Sequence, residues 1–76
     1  MLITVVAVLC TLSSGMCVEE IVTDSNMDPD VTMQGCQIGG QAGIAKWMGE
    51  HPLYHAKWRL DRWKCVSGVY NIRGRV

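Results

Sequence analysis

The chain predicts a small α+β fold: a three-stranded sheet in ββαβ order with one helix packed on it, stapled by disulfides. Three observations carry that expectation. An apolar, β-branched run opens the chain and a second run of β-formers follows a Ser-Ser-Gly turn; helical spacing fills the middle; strand-like alternation returns from Tyr54 to Val66. Four cysteines, Cys10, Cys17, Cys36 and Cys65, are spread through these segments in only 76 residues. A chain of this length buries only about 60% of its unfolded surface, so covalent staples matter to its stability.

In the first segment, Ile3, Val5, Val6, Val8 and Leu9 have the content of a strand covered on both faces. A cleaved secretory signal over residues 1–15 is the competing reading, because Ser13 and Gly15 are small residues suitably placed before Met16. No Lys or Arg precedes the run, and cleavage would leave three cysteines, an odd number for an oxidised domain. The retained strand is therefore favoured. The apolar run, about eleven residues, is too short for a transmembrane helix of about twenty, so no membrane span is expected. A second strand runs from Cys17 to Thr23.

Asp28-Pro29-Asp30 reads as a helix start, with Asp28 capping, Pro29 in the first turn and a helix from Pro29 to Gly49. Gly35, Gly39 and Gly43 recur every four residues, with Gly40 beside them. Each interior glycine costs about 1 kcal/mol relative to alanine, so either the stripe packs closely on the sheet or the helix breaks at Gly39-Gly40. Close packing is the favoured reading, with Met33, Cys36, Gly40, Ile44 and Trp47 forming the buried face. His51-Pro52 ends the helix. In the last strand Trp58 and Leu60 share one parity and Trp63 and Cys65 the other, so a β-bulge near Asp61 or Arg62 is needed to bring all four to one face. The domain spans 1–66, and 67–76 is a flexible or edge-strand tail.

Net charge is zero, but every Lys and Arg lies after position 45, whereas Glu19, Glu20, Asp24, Asp28 and Asp30 precede position 31. The simple expectation is that the two halves fold together and neutralise one another. The alternative is a basic surface for an anion or nucleic acid, built from Lys57, Arg59, Arg62 and Lys64 with Trp58, Trp63 and Tyr54 to stack bases. Exposed tryptophans beside the arginines would support that alternative; buried ones would not.

Other chemistries fit poorly. The glycine-rich stretch lacks the Gly-Lys-Ser/Thr ending of a phosphate loop and any dinucleotide fingerprint. The cysteines lack the short-spaced pairs of a structural zinc site, and Pro52 interrupts the helix that would align His51 with His55, so no metal or other cofactor is expected. Cys65 beside Lys64 is the best-placed thiol electrostatically, with no base specified near it. Glu19 and Glu20 are neighbours on a strand and point to opposite faces, so they do not form a catalytic pair.

The order of these features, an apolar start ending in a cysteine, a second cysteine, a helical cysteine, then Trp47-Met48-Gly49-Glu50-His51-Pro52 and Trp58 through Trp63-Lys64-Cys65, resembles a group of short four-cysteine proteins of bacterial and prophage genomes. That group has no established activity. The present chain differs in extra residues between Pro52 and Trp58 and in its extension past Cys65. The resemblance implies that the apolar start belongs to the domain.

Strand one up, strand two down, a helix returning and strand three down places Cys10 opposite Cys17 and brings Cys36 near Cys65; the two other pairings stay open. The expected function is that of a small non-catalytic structural or interaction protein, exported or periplasmic if oxidised and cytoplasmic if its thiols are free. Its partner is unspecified, whether another protein or a second copy joined through a sheet edge. A nucleic-acid-binding module and a thiol redox or metal-binding protein are the alternatives.

Overall fold

An antiparallel hairpin of β1 (Ile3–Thr11) and β2 (Cys17–Asp24) is followed by α1 (Met33–Glu50) and then β3 (Trp58–Ser67), which returns antiparallel to β1. This computed structural model describes residues 2–72; Met1 and the tail residues Arg73, Gly74, Arg75 and Val76 lie outside the described residues. The sheet order is β2-β1-β3. The most apolar strand is thus the central one, and Val6, Ala7, Val8, Leu9 and Cys10 are all 0% exposed. Its burial on both faces explains why its sequence runs apolar without alternating.

The hairpin turns where Thr11 N donates to the Met16 carbonyl at 2.9 Å and Gly15, at φ +71°, takes the left-handed conformation that suits glycine. Beyond β2 the acidic residues close turns. Asp24 Oδ1 accepts from the amides of Asn26 and Met27, and Asp28 Oδ1 accepts from Asp30 N at 3.1 Å. Asp28 is therefore not the helix cap, and Pro29 is not in the helix. Thr32 is the cap: its Oγ1 accepts from Gly35 N at 3.0 Å, and α1 begins at Met33. A carboxylate two residues before an amide made a local turn in preference to a helix start.

α1 runs unbroken through Gly39-Gly40 to Glu50, with His51 as its C-cap. It buries Cys36, Ile44 and Met48; Trp47 packs partly buried against this cluster, and Met33 is only partly buried. Met48 thus holds a core position that the expected face had not included. Close packing against the sheet holds, in this stripe, at Gly40 alone, where an added Cβ would lie 2.5 Å from Trp63 Nε1; at Gly35 it would meet only the helix's own cap, Thr32 Oγ1, at 2.9 Å. At Gly39 and Gly43 nothing stands within 4 Å of the equivalent point.

In β3, Arg62 pairs with Val8 and Leu60 with Leu9, so Asp61 is the extra residue of a bulge. The bulge brings Trp58, Leu60, Trp63 and Cys65 together on the helix side of the sheet. One disulfide joins Cys10 to Cys17 across the hairpin, and the other joins Cys36 on α1 to Cys65 on β3. β3 continues through Ser67, one residue past the expected boundary at 66. Residues 68–72 form no strand. Gly68 is tied to β1 and its approach: its N donates to the Leu2 carbonyl at 2.8 Å, and Thr4 Oγ1 donates to its carbonyl at 2.7 Å.

Candidate functional site

The bulge sorts the basic strand into two faces. Trp58 and Trp63 point to the helix, and Trp63 Nε1 donates to the Cys36 carbonyl at 3.0 Å. Arg59, Arg62 and Lys64 pair in register with Cys10, Val8 and Val6, which places them on the opposite face. The residues proposed to stack bases and those proposed to hold phosphates are therefore not one surface. Arg59 and Arg62 both bond the Asp61 carboxylate, at 3.1 and 2.6 Å, and the Arg59 hydrogen bond first among these contacts holds that carboxyl below the usual aspartate range. Lys57 is exposed at φ +67°, just before β3.

Lys64 crosses the sheet. Its Nζ lies 2.5 Å from Glu19 Oε2 and 3.0 Å from Tyr70 Oη, and Tyr70 Oη donates to the same Glu19 oxygen at 2.7 Å. The Glu19 side chain is 2% exposed, and its hydrogen bond is the leading cause of a raised Lys64 pKa. Glu20, one residue on, faces the helix side as the alternation of a strand requires. Its Oε2 accepts the Tyr54 hydroxyl at 2.6 Å, and burial, reinforced by that acceptor, pushes the phenol up to about 12. Tyr54 also stands between Trp47, His51 and Trp58, with ring centroids 5.7, 4.7 and 5.0 Å away. These tyrosine–glutamate bonds were missed at the sequence level. The available signal was general: a buried phenol needs an acceptor.

α1 lies over β3 and β1 and leaves β2 uncovered beside Val22 and Thr23. The result is a groove of about 350 Å³ between the helix and β2. Val5, Val22, Val31 and Ile44 contribute its apolar lining, Gly39 and Gly43 its open wall, and Asp28 and Asp30 line it as well. From Met33 to Ala45 the helix carries no charged residue, and Ile38 on its surface is 76% exposed.

Among the described residues no group of three or more His, Cys, Asp or Glu side chains is arranged to hold a metal, and no helix is long and apolar enough to cross a membrane. Compared with known proteins, the chain matches no family model, no curated protein and no solved structure.

Proposed function

We propose that this chain is a small non-catalytic interaction domain, stabilised by its disulfides, that presents the α1/β2 groove to a protein partner. The observation that carries the reading is the open groove beside the uncharged Met33 to Ala45 stretch of the helix, at glycines the fold itself does not require. Chemically capable side chains have structural employment: the cysteines are bridged, Glu19 and Glu20 hold Lys64, Tyr70 and Tyr54, and Asp61 holds two arginines. Two disulfides in so short a chain suit an oxidising compartment, exported or periplasmic. The resemblance to short bacterial and prophage proteins adds a bacterial setting to the same proposal.

The test is site-specific photocrosslinking in the native host, with the probe at Gly39 in the groove wall or at Arg62 on the opposite face. A discrete crosslinked product from position 39 and none from position 62 supports the reading. Crosslinks from 62 alone, or none from either, sink it.

A further inference from the structure

The charge of the α1/β2 groove has a single sign. Among the described residues that line it, Asp28 and Asp30 are the ionisable side chains, both exposed, and no ion pair involves either. Asp28 Oδ1 accepts from Asp30 N at 3.1 Å, a bond that leaves the negative charge in place. Thr32 and Gly35, at the start of α1, line the groove too and bring the positive end of the helix dipole. That end amounts to about half a charge, against two full carboxylates. Electrostatically the groove therefore takes a cation.

The remaining lining is aliphatic or bare backbone. Val22, Val31 and Ile44 supply methyl groups, and at Gly39 and Gly43 nothing stands within 4 Å of the point that an added Cβ would occupy. A volume of about 350 Å³ lies at the small end of ligand-sized cavities, room for one long side chain with its neighbours. Basic side chains suit both parts of this surface, because their methylene stems cover apolar groups while their heads stay with charge or water. An apolar anchor would cover the carboxylates without pairing them, and an acidic one would be repelled.

We propose that the occupant of the groove is a segment of another protein anchored by a basic side chain. The stem of that side chain lies against Val22, Val31 and the bare helix wall at Gly39 and Gly43, and its cation pairs with Asp28 and Asp30. The inference rests on the docking reading above and names the chemistry of the partner. Asp28 and Asp30 become specificity residues on this reading, because they reject acidic segments and leave apolar ones with two unpaired carboxylates to cover.

The experiment titrates the isotope-labelled full chain with acetyl-Gly-Arg-Gly-amide, and with counterparts carrying norleucine or glutamate in place of the arginine, while backbone amide shifts are followed by NMR at low ionic strength. The arginine peptide should shift the amides of Val22, Gly39 and Gly43 saturably. It should bind about tenfold more tightly than the norleucine peptide, as two solvent-exposed ion pairs of ordinary strength would give. Asp28→Asn/Asp30→Asn keeps an acceptor oxygen at each position for the local turn and should erase that difference. Equal affinity for the arginine and norleucine peptides, tighter binding of the glutamate peptide, an unchanged arginine affinity in the Asn pair, or no shift at all overturns the proposal. Photocrosslinking from Gly39 in the native host separates this failure from that of the groove reading. A Gly39 product of undiminished yield in the Asp28→Asn/Asp30→Asn chain sinks the basic anchor and leaves the groove standing, whereas no Gly39 product in the native chain sinks both. A product of twice the chain's mass identifies a second copy as the occupant and also overturns the proposal.

Discussion

Replacing Gly39, Gly40 or Gly43 by alanine tests the packing of α1 with one substitution at three places on one helix. Each change gains about 1 kcal/mol of helix propensity, or somewhat less in a folded protein. At Gly39 and Gly43 that gain is unopposed, because nothing lies within 4 Å of the new Cβ. Both variants should be more stable by about 0.5–1 kcal/mol. At Gly40 the new methyl meets the Trp63 indole at 2.5 Å from Nε1, 3.0 Å from Cδ1 and 3.2 Å from Cε2. These are atoms of a rigid ring, tethered by the Nε1 bond to the Cys36 carbonyl. The ring has to shift, at an overpacking cost of about 1–3 kcal/mol plus about 1 kcal/mol for the weakened hydrogen bond. Gly40→Ala should therefore lower stability by about 1–3 kcal/mol after the propensity gain is deducted. Urea denaturation followed by tryptophan fluorescence measures all three. A Gly40→Ala chain as stable as the Gly39→Ala chain would refute the close contact between helix and indole.

Thr32→Ala removes the side chain that accepts from Gly35 N, and should cost about 1 kcal/mol in the same urea assay. The raised Tyr54 pKa means that the fold favours the protonated phenol, so its contribution is complete below pH 10 and is lost as pH rises toward 12. Tyr54→Phe should flatten the fall in thermal midpoint across that alkaline window, and an unchanged slope would count against the buried Tyr54–Glu20 bond. Lys64→Ala should lower the urea midpoint, since it leaves the buried Glu19 carboxylate without its cation, and a Glu19→Gln/Lys64→Met pair should recover part of the loss. Adding oligothymidylate to the native chain should leave tryptophan emission unchanged, because Trp58 and Trp63 pack toward the helix; quenching that disappears in Arg59→Ala/Arg62→Ala would restore the nucleic-acid reading.

The elements were legible where pattern and sterics agree. A β-branched run such as Ile3 to Leu9 reads as a doubly covered strand, and the parity slip between Leu60 and Trp63 points to a bulge at Asp61. The helix start was not legible. Asp28-Pro29-Asp30 and Thr32 both suit a cap, and the choice turned on turns that Asp24 and Asp28 make with their own neighbours. The glycine stripe was half legible, because spacing identifies a face without saying what lies opposite it. Only the placement of α1 over β3 and β1 separates Gly40, against an indole, from Gly39 and Gly43, which face open space. The groove arises from that same offset, so no local pattern could have announced it.

The separation of charge along the chain acquires a structural meaning from the sheet order. β2 carries Glu19 and Glu20, β3 carries Arg59, Arg62 and Lys64, and the uncharged β1 lies between them. Glu19 is opposite Val8 and Lys64 opposite Val6, so their ion pair runs diagonally over the central strand. Tyr70 joins the pair from the tail and sets its ring beneath Lys64 Nζ, 5.2 Å from the centroid. Val6 and Val8 are consequently 0% exposed on a face that no helix covers. Aliphatic stems of long charged side chains can cover apolar surface while their heads meet above it. The acidic and basic halves therefore supply, across β1, the second layer that a chain of this length has too few residues to build from another helix. This arrangement leaves the helix side free to be asymmetric, with α1 displaced toward β3 and the groove open beside Val22 and Thr23 of β2.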